Sequence, residues 1–231
     1  MTYDSAFYGY TDRHAVRGAR VVVPLLAREF PIRSVADFGC GRGAWLAAWR
    51  VNGARDTHGI DGPWLPASEH LTAADLSAPV RLDRTFDMAQ SLEVAEHLPC
   101  ESSAQFVETL TSHAPAVLFS AAPPGQGGMR HVNERPYGFW RDLFADRGFQ
   151  LYDFVRPRIA QATIAPWYRY NILLFVRGDV PARIAATKVE RHAPVADLAP
   201  PLYRLRRCAV RLVPRRVQDA LARHSHRQLK T

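Results

Sequence analysis

The stretch Asp37-Phe38-Gly39-Cys40-Gly41-Arg42-Gly43 constrains the fold of this chain more than any other. It begins inside a β-rich run, Ser34–Phe38, and leads into Ala44–Val51, where Trp45, Leu46 and Trp49 recur at helical spacing. Three glycines between a strand and a helix let the backbone turn tightly and approach a ligand without a Cβ in the way. Strand, glycine turn and helix in that order form the opening unit of a parallel α/β sheet, which binds its ligands over the strand C-termini.

The same alternation continues downstream. Thr57–Ile60 reads as a second strand ending at Asp61-Gly62, and Asp75-Leu76 stands at the end of a third. Phe86–Leu92 reads as a strand passing into a helical pattern after Glu93, and Ser102–Ser112 as a helix. Ala116–Ala122 is an apolar strand stopped by Pro123-Pro124, and Tyr137–Arg147 is an amphipathic helix closed by Gly148. Leu151–Val155 and Asn171–Val176 read as a closing antiparallel pair. The pattern predicts a Rossmann-like, doubly wound α/β domain over residues 33–178. Residues 1–32 form a helical segment placed to cover the ligand site. Residues 179–231 form a Pro- and Ala-rich linker followed by two short amphipathic helical patterns.

Charge is unevenly spread. The net charge of +8 arises in the last fifth: residues 181–231 carry 12 basic against 3 acidic residues, and residues 1–180 carry 18 against 19. A neutral body makes nucleic acid an unlikely partner for the main domain. In the tail, Leu202, Leu205, Ala209 and Leu212 share one helical face, and Val217, Ala220 and Leu221 another. Arg204, Arg206, Arg207, Arg211, Arg215 and Arg216 lie among them. They suit an anionic membrane surface, a nucleic acid or an acidic partner, unless the apolar faces simply pack on the domain. Three cysteines without paired spacing suit a reducing compartment, and neither a signal peptide nor a membrane span is evident, so a cytoplasmic location is expected.

The glycine turn alone admits two ligands. Gly39-x-Gly41-x-x-Ala44 satisfies a relaxed dinucleotide fingerprint, and Asp61 stands where a ribose-binding acid belongs, so an NAD(P) oxidoreductase is a rival. Asp37, two residues before the first glycine, can reach the amino group of a methionine moiety and would repel a pyrophosphate. Gly43 follows Gly41 after one residue, which suits an adenosine ligand with no phosphate to cradle. Asp75 stands where an adenine amino group can be read. These features favour S-adenosylmethionine, with Cys40, Gly62, Leu76, Ser91 and Leu92 completing the candidate cofactor set.

Asp37 to Gly43, Asp61, Asp75, Phe86-Asp87 and the run from Ser91 to Leu98 together resemble the class I S-adenosylmethionine-dependent methyltransferases. The resemblance spans residues 33–177 and implies a seven-stranded sheet with one reversed strand and the last pair antiparallel. Pro124 to Gly128, His131-Val132-Asn133-Glu134 and Trp167-Tyr168 before Asn171 are similar to a group within that superfamily often associated with glycan or natural-product biosynthesis. The resemblance implies an enzyme, with a small-molecule hydroxyl as the expected acceptor.

Methyl transfer is an in-line displacement, for which an enzyme supplies alignment, desolvation and sometimes a base. Glu93, Glu96 and His97 fall at i, i+3 and i+4, which on a helix would place them on one face. With His131 from the loop after the next strand they are candidates to hold Mg2+ or another divalent cation, which would lower the pKa of an acceptor hydroxyl. Similar Glu-x-x-Glu-His patterns look metal-binding in ubiquinone-pathway O-methyltransferases and in small-RNA 2′-O-methyltransferases. An RNA 2′-O-methyltransferase is therefore a second reading, and a non-catalytic binding module a third. Without a metal, His131 or His97 is the natural general base. Asn133, Glu134, Trp167 and Tyr168 are candidate acceptor contacts, and the glycine-rich segment 124–128 is a candidate lid.

Overall fold

The computed structural model describes residues 5–64, 68–180, 184–214, 216–220 and 222, with side chains from residue 12 onward. Helix α1 (Ser5–Glu29) leads into strand β1 (Ser34–Phe38), the glycine turn and helix α2 (Ala44–Val51). Strands β2 (Asp56–Asp61), β3 (Leu71–Ala73) and β4 (Met88–Leu92) follow, then helix α3 (Ser103–His113) and strand β5 (Ala116–Ser120). Helix α4 (Tyr137–Ala145), strand β6 (Phe149–Asp153), short helices α5 (Val155–Arg158) and α6 (Pro166–Asn171) and strand β7 (Leu173–Arg177) complete the body. Strand β8 (Thr187–Val189) and helix α7 (Pro201–Arg211) lie beyond it.

The sheet runs β3-β2-β1-β4-β5-β7-β6-β8. The first five of these strands are parallel, whereas β7 is antiparallel to both β5 and β6. Side chains alternate between two cores because the strand period is two. On β5, Val117 and Phe119 enter the core beneath α3 and α4, and Leu118 enters the core beneath α1 and α2. Burial on both faces explains why these strands read as continuous apolar runs. The chain leaves β1 toward β2 and β3, then returns through β4 on the other side of β1. That reversal opens a crevice over the ends of β1 and β4.

Three sequence expectations need correction. The sheet has eight strands, not seven, because Thr187–Val189 pairs with β6 inside the segment read as a linker. An exposed edge strand of three residues needs no apolar alternation, so its sequence carries no strand signal. The helical pattern expected after Glu93 is also broken. Glu93 adopts φ 57° and its N–H donates to the Ser120 carbonyl at 3.0 Å, so only one 3₁₀ turn forms, Ala95–His97.

The third correction concerns the tail. Helix α7 turns its leucines outward: Leu202, Leu205 and Leu212 are 81%, 66% and 86% exposed. Its opposite side meets the body through Tyr203 against Tyr170 and Arg206 donating to the Gln126 carbonyl at 3.1 Å, while Arg207 pairs with Asp197 in the segment before the helix. The body presents a hydrogen-bond acceptor there, which an arginine face satisfies and a leucine face does not. Arg215, Leu221 and the tail beyond Ala222 lie outside the described residues. No helix among the described residues is long and apolar enough to cross a membrane.

Candidate active site

A cavity of about 700 Å³ occupies the crevice over β1 and β4. The glycine turn forms its floor at one end. Gly39, Gly41 and Gly43 all have positive φ. At Gly39 a Cβ would stand 2.2 Å from the Val94 side chain, so the turn closes against the segment after β4 only without one. A Cβ at Gly41 would meet nothing within 4 Å, so its left-handed backbone and not its packing requires glycine there.

Two carboxylates face this turn. Asp61 at the end of β2 accepts from the Gly41 N–H at 2.6 Å and the Gly62 N–H at 2.7 Å, fixing the loop from its neighbouring strand. Asp37 is 2% exposed, and its Oδ2 has no hydrogen-bond partner. Burial, reinforced by the negative charge of Asp61, pushes the Asp37 carboxyl up to about 7. An unsatisfied buried carboxylate oxygen is costly unless a donor arrives, and a cationic one is favoured most.

Leu76 and Leu92 are buried side chains on the cavity wall, with Cys40 beside the turn. Asp75 is exposed at the cavity edge, where its Oδ1 accepts from the N–H and hydroxyl of Ser77. Gly43 and Ser91 do not line the cavity: Gly43 caps α2, and Ser91 is enclosed within the sheet. Several wall residues escaped the sequence reading. The Trp64 ring lies where a Gly62 Cβ would be, 1.9 Å from its position, and Asp12 and Ala15 of α1 close the near side. Nothing in the local pattern of α1 marks those two, because α1 reaches the site through tertiary packing on α2 and through His14 against Trp167.

The far end is built differently. Glu93 does not join the other candidate ligands. Its carboxylate accepts from Gln126 Nε2 at 2.7 Å and Asn171 Nδ2 at 3.1 Å, and Asn171 in turn accepts from the Tyr137 hydroxyl. Burial holds the Glu93 carboxyl above its usual range. Among the described residues, Glu96, His97 and His131 bring one ligand atom each to within 4.8 Å of one another. Glu96 Oε2 and His97 Nδ1 are buried without hydrogen-bond partners. Burial and the neighbouring Glu93 charge hold the Glu96 carboxyl well above the ordinary range. Burial, reinforced by neighbouring His131, pushes His97 down to about 3 and favours the neutral imidazole.

His131 is held from behind. Its Nδ1 bonds Glu134 Oε1 at 2.9 Å, which fixes the ring orientation. Burial works against the Glu134 charge, but His131 and the N–H groups of Gly125 and Gly127 outweigh it and hold the carboxyl below its usual range. Glu134 thus braces the histidine and the glycine-rich segment together, and it does not line the main cavity. That segment is clamped from the other side too. A Cβ on Gly125 would lie 2.1 Å from the Arg207 carbonyl of α7, so the glycine gives close approach here.

Asn133 is a correction. It is 2% exposed, donates to Ser103 Oγ at 2.9 Å and accepts from Arg135, so it locks the loop and does not reach the cavity. Trp167 and Tyr168 do line the cavity; Tyr168 packs edge-on to Trp45 and Trp167 edge-on to His14. Arg206 and Val210 of α7 supply a roof that the sequence did not assign to the site.

No protein-family model matches the sequence, and no curated protein matches it. Solved structures do. The sugar N-methyltransferase KedS8 from Streptoalloteichus superposes with a TM-score of 0.57 at 15% identity, over 78% of this chain and 97% of that one. CalS10, an amino pentose methyltransferase from Micromonospora echinaspora with bound S-adenosylmethionine, gives 0.54 at 15% identity, over 77% and 98%. The magnesium protoporphyrin IX methyltransferase ChlM from Synechocystis, also with S-adenosylmethionine, gives 0.52 at 21% identity, over 77% and 86%. This chain has the fold of the class I S-adenosylmethionine-dependent methyltransferases.

Proposed function

We propose that this protein is an S-adenosylmethionine-dependent methyltransferase that methylates a hydroxyl of a small sugar-containing or natural-product acceptor. The observation that carries the reading is the meeting, in one cavity, of an unsatisfied Asp37 carboxylate over a glycine turn with the Glu96, His97 and His131 group at the far end. In this reading Asp37 binds the ammonium of the methionine moiety, and Asp61 receives the ribose hydroxyls while keeping the turn in place. Asp75 and Leu76 lie at the adenine end with Trp64. The neighbouring folds that act on a sugar and an amino pentose support a small polar acceptor.

The far end fits a divalent cation. One carboxylate oxygen and two imidazole nitrogens converge, and Glu96 Oε2 and His97 Nδ1 are buried without a hydrogen-bond partner. Imidazole-rich sets suit Mn2+, Fe2+, Co2+ or Zn2+ better than Mg2+, which prefers oxygen ligands. Such an ion, when bound, lowers the pKa of an acceptor hydroxyl. Glu96 and His97 would hold it as an anion and a neutral imidazole, His131 would complete the set, and Glu134 would keep the His131 ring oriented. Trp167 and Tyr168 would wall the acceptor and exclude water from the transferring methyl.

Two measurements test this. Calorimetric titration with S-adenosylmethionine and with NAD should show binding of the first alone; binding of NAD alone would end the reading. Turnover of hydroxylated glycosides should stop in chelator and return with added Mn2+ or Zn2+. Full turnover in chelator would transfer the base role to His131.

A further inference from the structure

Helix α7 has two faces with different tasks. The inner face roofs the cavity through Arg206 and Val210. The outer face carries Leu202, Leu205, Ala209 and Leu212, all exposed, at i, i+3, i+7 and i+10. Leu198 just before the helix and Val217 just after it are also exposed, at 40% and 46%. Single exposed leucines are ordinary, but a continuous stripe along one helix marks a contact surface.

Charge identifies what would cover it. The helix from Pro201 to Arg211 contains four arginines and no acidic residue. Arg206 is engaged with the body and Arg207 with Asp197. Arg204 is exposed on the helix and Arg216 is exposed beyond it, whereas Arg211 packs its stem against Gly125. A second copy of this chain would set arginines against arginines. The sequence beyond Ala222 holds Arg223, Arg227 and Lys230 and no acid, so it offers no complement either. A nucleic acid would use the arginines but leave the leucines in water. Apolar side chains flanked by arginines match the boundary of an anionic bilayer, where leucines enter the acyl region and guanidinium groups remain at phosphate level.

We propose that α7 docks flat on an anionic lipid bilayer through Leu202, Leu205 and Leu212, with Arg204 and Arg216 supplying charge at phosphate level. The proposal does not depend on the proposed methyl transfer. If both hold, the cavity roof lies at the membrane surface, and acceptors presented there would enter beside α7.

Co-sedimentation of the full chain with vesicles tests it. Vesicles of phosphatidylcholine with phosphatidylserine should pellet the protein, and phosphatidylcholine alone should pellet far less. Arg204→Glu should weaken binding by about fivefold or more, in line with the contribution of one basic residue near such a surface. The triple variant Leu202→Ser, Leu205→Ser, Leu212→Ser should lose binding although its charge is intact. These side chains are exposed, so an unchanged melting temperature will report an intact fold. If that variant melts early, Leu205→Asp alone replaces it. The proposal is overturned if phosphatidylserine vesicles do not pellet the protein, or if the leucine variants bind as well as the parent. It is also overturned if the stripe instead mediates a dimer that the triple variant converts to monomer, or if only salt-sensitive RNA binding is found.

Discussion

The two ends of the cavity solve the same problem of burying charge in different ways. At the cofactor end, backbone does most of the work: Gly41 and Gly62 N–H groups neutralise Asp61, and Asp37 is left with an oxygen for a ligand. At the far end, side chains from β4, the 123–134 loop and α6 form the network, and the unsatisfied atoms belong to Glu96 and His97. The first arrangement is local and rigid, set by one turn. The second depends on three separated segments meeting correctly. Function at the two ends should therefore fail separately.

The largest separation is expected from His131→Ala or Glu96→Ala. Either should lower kcat by at least about a hundredfold, in the range of losing a catalytic proton-handling group, while S-adenosylmethionine affinity measured by calorimetry stays unchanged. A parallel loss of affinity would show that the two ends are not independent. Asp37→Asn should do the reverse, weakening S-adenosylmethionine binding by about 10- to 100-fold through loss of a charged hydrogen bond, with metal content unaltered. Glu134→Gln removes the charge behind His131 and should reduce metal affinity by about 10- to 100-fold, read by metal titration. Since the amide also leaves the Gly125 and Gly127 N–H groups one good acceptor, the fold should persist.

The smallest effect is in pH. Burial raises the Asp37 carboxyl from 3.8 to about 7, so the ligand-free fold loses stability as pH rises between those values. Burial of Glu93 and Glu96 acts in the same direction. Binding a cationic ammonium favours the ionised carboxylate, so S-adenosylmethionine affinity should rise about tenfold from pH 6 to pH 8, one proton being released. The thermal shift caused by the ligand should grow over the same interval. A flat profile would mean that Asp37 is ionised without its ligand, and the contrast between the two ends would narrow.

The cofactor end was legible in the sequence because its residues act where they stand. Asp37 ends a strand, the glycines supply positive φ, and Asp61 is one strand away in parallel register, Asp37 opposite Gly59. The far end was legible in part. Glu96, His97 and His131 were named, but the spacing of Glu93, Glu96 and His97 suggested a shared helical face that does not exist. Helical periodicity was applied across a residue with φ 57°, where the chain leaves β4 to follow β5. Glu93 consequently serves Gln126 and Asn171. Asn133 read as an acceptor contact because its loop lies near the site, and only burial assigns it to Ser103 and Arg135.

Sequence by itself determined the parallel α/β plan, the turn and its acids, and the concentration of basic charge after residue 180, because each follows from neighbours within a few residues. Tertiary structure decided the eighth strand, the roof over the cavity and the outward turn of the leucines on α7. A helical wheel shows that one face is apolar, but which face meets the body depends on what the body offers. Here the body offers the Gln126 carbonyl and the segment before α7 offers the Asp197 carboxylate, and these engage the arginine face and leave leucine outside.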